Sequence, residues 1–147
     1  MRISRRVVLL MLAALAAGSA GAAEFGSAKE ARAMLDRAVA DLRKDKAGAL
    51  ARFNKGESGY KDRDLYPFCA SLDGTTTAHP TMVGKNLKEL KDKKGKAFGQ
   101  EMFKVAQEGK VAEVTYLWPK PGQAEPVQKV SYVTRVGDQV CGVGYYK

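Results

Sequence analysis

The 147 residues carry 25 basic and 16 acidic side chains, a formal charge of +9, together with two cysteines and a single histidine. No CxxC, CxxCH or Cys/His cluster occurs, so thioredoxin-like redox chemistry, c-type haem attachment and structural zinc all lack their ligands. The length admits one compact domain with a real core and hardly two.

The chain opens on "MRISRRVVLLMLAALAAGSAGAAEFG". Arg2, Arg5 and Arg6 precede an apolar run from Val7 to about Ala17, and small residues follow, the three-part form of a secretory signal. The run is short and rich in alanine and glycine for a membrane span, which needs about 20 strongly apolar residues. We therefore read residues 1–23 as a leader cleaved after Ala22 or Ala23; uncleaved, the same run would be an N-terminal anchor. "SRRVVLL" partly matches a twin-arginine signal, but paired arginines are also common in ordinary leaders, and the ordinary secretory reading is preferred. Without the leader's three arginines the charge falls from +9 to +6, which suits attraction to anions but says nothing about fold. The domain is then 24–147, and in an oxidising compartment its two cysteines, Cys69 and Cys141, can stay bonded.

Ser27 and Glu30 form the reciprocal pair that caps a helix. Ala31, Met34, Leu35, Ala38, Val39 and Leu42 then recur at helical spacing, opposite Lys29, Arg32, Asp36, Arg37 and Asp41. Gly48 is expected to interrupt the pattern, and a shorter helix through Leu50 and Phe53 to end at Gly56. "LYPFCASL" and "TTTAH" flank Asp73-Gly74, a hairpin signal, and Pro67 implies that the first strand starts late or is bulged. In "KAFGQEMFKVAQEG", Phe98, Met102, Phe103 and Ala106 share a helical stripe with Gly109 as the stop. "KVAEVTYLW", "PVQKVSYVTRV" and "QVCGVGYY" read as three strands, joined by a Pro/Gly loop and by a tight Gly137-Asp138 turn. Helices, a hairpin, a helical insertion and a three-strand meander make an α+β domain on a mainly antiparallel sheet.

Between hairpin and meander lies "AHPTMVGKNLKELKDKKGKAF", dense in lysine. The lysines from Lys85 to Lys96 could follow a phosphate backbone, but this lysine run has neither arginines nor aromatic residues to stack on bases, and export removes the partner. We expect no nucleic acid, and read a solvated lysine face interleaved with Glu89 and Asp92. The glycines do not build a phosphate-cradling loop. His79, the one base of ordinary pKa, has only the remote Cys69 as a nucleophile, so no catalytic set is expected.

As an ordered set, "FCASLDGTTTAHPTMVGKNLKELKDKKGKAF", "VTYLWPKP", "KVSYVTRV" and "VCGVGYY" resemble the single Cache domain family of extracytoplasmic sensors, over nearly all of residues 27–147. The resemblance implies a long N-terminal helix packed on a PAS-like, five-stranded antiparallel sheet, with a pocket for small ligands, often organic acids, on the sheet's other side. The lysine-rich stretch becomes a pocket-side loop with turns at Gly84 and Gly95. First and last strands become central neighbours, which lets Cys69 meet Cys141; two buried free thiols are the alternative. Cache domains typically sit between membrane helices ahead of a kinase, cyclase or chemoreceptor module. The chain stops one residue after Tyr146, so the resemblance implies an exported binding protein that serves a membrane receptor or sensor kinase.

A carboxylate pocket needs cationic or neutral donors inside an apolar, aromatic wall, because a buried anion without partners is costly. At the family's pocket positions stand His79, Tyr116, Trp118, Lys129, Ser131 and Tyr132. Tyr116 and Trp118 share a strand face, as do Lys129 and Ser131 with Val133, whereas Tyr132 points the other way unless a bulge intervenes. Strand aromatics are also ordinary core residues, and Lys129 could be a surface lysine with a buried stem. The expectation is a periplasmic or secreted domain that binds a small organic anion without catalysis, cofactor or metal. The alternative is a structural or interaction module with a filled pocket, whose long helix pairs with a second copy or a membrane partner.

Overall fold

The computed structural model describes residues 23–147, so the expected leader lies outside the described residues except for Ala23. Helix α1 spans Ala28–Lys44. The Ser27 hydroxyl accepts from the Glu30 amide at 3.2 Å, and the Glu30 carboxylate accepts from the Ser27 amide at 2.7 Å, which satisfies two of the orphan donors of a helix start. The break after α1 falls at Asp45 rather than at Gly48: Asp45 ends α1 and caps α2, Lys46–Lys55, its carboxylate accepting from the Gly48 amide at 3.1 Å. A good N-cap outweighs a tolerated helix glycine. Gly56 closes α2 with φ of 66°, a left-handed position that favours glycine.

Five strands follow: β1 Pro67–Ser71, β2 Thr76–Ala78, β3 Ala112–Pro119, β4 Pro126–Val136 and β5 Gln139–Tyr146. They form one antiparallel sheet in the order β2-β1-β5-β4-β3. Pro67, which cannot donate to a ladder, is the first residue of β1, and the β1–β2 register shifts between Cys69 and Ala70. That shift turns Ala78 to one face and Thr76 to the other. Helix α3, Phe98–Val105, stops at Ala106, earlier than Gly109, which instead shapes the turn into β3 with φ of 71°.

The two sheet faces carry separate cores. On one, Ala31, Met34, Leu35, Ala38 and Leu42 of α1 pack with Phe53, Tyr60, Cys69, Cys141 and Val143. A fully buried side chain such as Leu35 contributes roughly 1.5–3 kcal/mol. Cys69 and Cys141 are register partners across β1 and β5, with Cα atoms 4.1 Å apart, and are joined by a disulfide across a separation of 72 residues. On the other face, Phe68, Leu87, Phe98, Met102, Val114, Tyr116 and Val133 pack together beneath the segment that links β2 to α3. That segment is tied to the hairpin by Thr76 N–H to Lys85 and Gly84 N–H to Thr76, at 2.8 and 2.9 Å. The Asp92 carboxylate accepts from the amides of Lys94, Lys96 and, on β3, Leu117. Gly84 and Gly95, with φ of 87° and 83°, turn it as expected. Lys88 and Lys96 reach back to the carbonyls of Leu72 and Thr115, so part of the lysine run anchors the segment. Among the described residues no helix is long and apolar enough to cross a membrane.

Candidate functional site

Strand alternation delivers most of the expected set to the face beneath the linking segment. Tyr116 on β3 lies opposite Lys129 on β4, which lies opposite Tyr146 on β5. The Tyr116 and Ser131 hydroxyls are 2.9 Å apart in a buried hydrogen bond, and Phe98 of α3 stacks on Tyr116 with centroids separated by 4.2 Å. Trp118 packs edge-on against the same Phe98 at 5.7 Å. Tyr132 is the exception and corrects the expectation. It pairs with Val143, and its side chain sits half-buried against the α1 core beside Tyr145, 5.6 Å between centroids. β4 stays in register with both neighbours there, so parity sends Tyr132 away from the site.

Lys129 is 1 % exposed and lies across β5 over Gly144, where an added Cβ would collide with its Cε and with the Ser131 hydroxyl. Its ammonium donates to the Tyr66 hydroxyl at 3.2 Å and stands 4.7 and 5.1 Å from the ring centroids of Tyr66 and Tyr146. Among the described residues it has no ion-pair partner. Burial pushes its pKa down to about 8, with the field of Asp64 acting weakly the other way. Asp64 is itself buried, one carboxylate oxygen accepting from the Gly26 amide at 2.6 Å and the other without a partner among the described residues. A lysine held so, charged at neutral pH but short of a counter-ion, is poised to take an anion.

His79 follows β2 directly. Asn54 of α2 holds it, accepting from its amide at 3.1 Å and donating to the Thr77 carbonyl at 2.9 Å. Its Nδ1 accepts from the Thr81 amide at 3.0 Å, which assigns the ring proton to Nε2. Burial, reinforced by Lys129, lowers its pKa to about 4, so the ring is neutral at physiological pH.

These groups line two neighbouring spaces that share residues. An inner chamber of about 20 Å³ is walled by Phe68, Met82, Leu87, Leu90, Phe98 and Met102, with Tyr66, Thr76, His79, Tyr116 and Trp118 supplying polar atoms. That volume suits about one water. Outside it, a vestibule of about 200 Å³ is bounded by Lys61, Arg63, Pro80, Thr81, Pro119 and Pro121. Tyr66, His79 and Trp118 belong to both and form the partition. His79, Tyr116 and Trp118 therefore line the inner chamber directly, whereas Lys129 and Ser131 support it from beneath: Lys129 reaches it through Tyr66, and Ser131 through Tyr116.

Two members of the site escaped the sequence reading. Tyr66 stands outside β1, before Pro67, where no strand parity assigns its direction. Thr76, whose buried hydroxyl has no partner among the described residues, enters the chamber only because of the register shift between β1 and β2, which places an extra residue, Thr77, in β2.

A family model described as Cache domain, dCache_2, matches residues 32–145. Three solved structures share the fold, each covered over 80 % of this chain. A methyl-accepting chemotaxis protein from Vibrio parahaemolyticus RIMD 2210633 is 26 % identical with a TM-score of 0.66, 86 % of its chain covered. A periplasmic sensor domain of a chemotaxis protein is 27 % identical at 0.62, 88 % covered. A Cache chemosensory domain described for carboxylic acid recognition is 25 % identical at 0.60, 86 % covered. The methyl-accepting chemotaxis protein McpP of Pseudomonas putida is 39 % identical over 56 residues, 38 % of this chain and 10 % of that protein's length. The chain thus spans a small part of that relative. Family match and fold agree: the chain belongs to the Cache domain family.

Proposed function

We propose that this Cache domain is an exported sensor or solute-binding module that takes a small carboxylate, of two to four carbons, and performs no chemistry on it. The observation that carries the reading is the buried ammonium of Lys129, without an ion-pair partner among the described residues, hydrogen-bonded to Tyr66 in the wall of an aromatic chamber. A carboxylate would restore what burial removes from that charge. Neutral His79, through Nε2–H, and the hydroxyls of Thr76 and Tyr116 would orient it, and the Phe98 side would take its short apolar part. Recognition of carboxylic acids by a structural neighbour supports the class of ligand. The disulfide fits an oxidising compartment and hence export through the proposed leader. Similarity to chemoreceptor sensor domains supports a membrane receptor or kinase as the partner that reads the bound state. Pairing of two copies along α1 is part of the same proposal, its outward Lys29, Arg32, Asp36 and Arg37 being the groups that would meet.

Calorimetric titration with acetate, propionate, pyruvate and succinate tests the reading, alongside thermal shifts. Ligand at 100 times its dissociation constant should add about 2.7 kcal/mol to stability. Saturable binding lost in Lys129→Met supports the proposal. Melting curves that no acid moves would leave the alternative, an interaction module with a filled pocket, which draws on the small size of the inner chamber.

A further inference from the structure

The polar groups assigned to an anion are not idle in this structure, for they converge on one oxygen of the protein itself. The Tyr66 hydroxyl accepts from Lys129 Nζ at 3.2 Å. His79 Nε2, which carries the ring proton, faces the same hydroxyl at 3.5 Å, and the two rings meet edge-on at 5.2 Å. Trp118, whose only polar atom is a donor, lines the same two spaces as Tyr66. An ammonium and an imidazole N–H converging on one oxygen is the environment of a carboxylate oxygen.

Resting on the carboxylate reading above, we propose that Tyr66 is a self-ligand and gate: its hydroxyl occupies the position of a ligand oxygen in the empty domain, and an incoming carboxylate displaces it. Position supports this as well as donor count. Tyr66 alone lines the inner chamber of about 20 Å³, the vestibule of about 200 Å³ and a third cavity of about 140 Å³ beside α2. Swinging its ring toward the third cavity would remove the shared wall between the first two and give the small inner chamber room for a guest larger than water. Pro67 keeps the Tyr66 backbone extended, and Arg63, three residues earlier, is fastened to Glu30, Asp62 and the carbonyls of Ala23 and Phe25. The motion is therefore a side-chain rotation about a fixed backbone, by a ring that is only partly buried. The arrangement keeps Lys129 solvated by the protein while no ligand is bound and makes ligand entry and Tyr66 displacement one event.

Tyr66→Phe keeps the ring and removes the competing oxygen. Titrated calorimetrically with sodium acetate and sodium propionate, this variant should bind roughly tenfold more tightly than the wild-type protein, since no hydrogen bond to a charged group is then surrendered. The same gain in a protein whose wild-type form binds neither acid would support self-occlusion equally. Equal or weaker binding by Tyr66→Phe, with wild-type binding intact and lost in Lys129→Met, would overturn the gate and leave the carboxylate reading standing. Binding by neither form would overturn both. A crystal structure with acetate bound gives an independent readout. Tyr66 hydroxyl withdrawn from Lys129 supports displacement, and the 3.2 Å contact unchanged refutes it.

Discussion

The two faces of the sheet use alternate residues of the same strands to opposite ends. Toward α1, β1 and β5 present Cys69, Cys141 and Val143, all fully buried beneath Ala31, Leu35 and Ala38 and locked by a disulfide. Toward the linking segment, β4 presents Lys129 and Ser131, and β3 presents Tyr116; polar atoms sit where a purely structural face would have carbon. One face is built for cohesion. The other surrenders cohesion to keep donors desolvated and aimed. The lesson is that stability and recognition are separable here by parity, so substitutions on one face should leave the other's property intact.

The largest expected effect lies on the cohesive face. Replacing Cys69 and Cys141 together by alanine should cost about 4 kcal/mol by the chain-entropy estimate, read as a lower denaturation midpoint in urea. Leu35→Ala should cost about 3 kcal/mol, and at a temperature where the variant remains folded its carboxylate affinity should match wild type. A large affinity loss there would mean that the faces are coupled.

On the recognition face the sign reverses. Lys129→Met removes a desolvated charge and should raise the stability of the free domain by about 1–3 kcal/mol, while carboxylate binding disappears. A destabilised Lys129→Met would show that the ammonium's contacts with Tyr66 and Tyr146 outweigh its burial.

The smallest effects are those of pH. The folded pKa of Lys129, about 8, lies below its ordinary 10.5, so between those values the unfolded chain holds more protons and stability rises with pH. The window closes near pH 10, where buried Tyr116 and partly buried Tyr66, whose folded pKa values are raised by desolvation, act in the opposite direction. On the acid side, His79 has a folded pKa of about 4 against an ordinary 6.5; stability is lost as pH falls across that interval. Carboxylate affinity should fall roughly fivefold between pH 8 and 9 if only protonated Lys129 binds, measured calorimetrically. A flat profile would move the anion elsewhere.

Much of this architecture was legible locally. Ser27 and Glu30 announced α1, Asp73-Gly74 the hairpin, and alternation in β4 correctly separated Lys129 and Ser131 from Tyr132. Local reading failed where two local signals competed. The cap at Asp45 overrode the break expected at Gly48, and α3 ended at Ala106 although Gly109 was available. Tyr66 and Thr76 were missed for another reason. One lies before a proline, outside any pleat, and the other is turned by a register shift that only pairing with β1 creates.

By itself, then, the sequence determined the elements, their polarity and which strand residues share a face, because helical and strand periods are properties of neighbouring residues. The tertiary structure decided what those faces meet. It placed Cys69 against Cys141, laid the linking segment over Tyr116 and Phe98, buried Lys129 beside a phenol from a loop 63 residues away, and left most of the free space outside the Tyr66 partition. Burial is supplied by residues distant in the chain, and it is burial that lowers the pKa of this strand lysine.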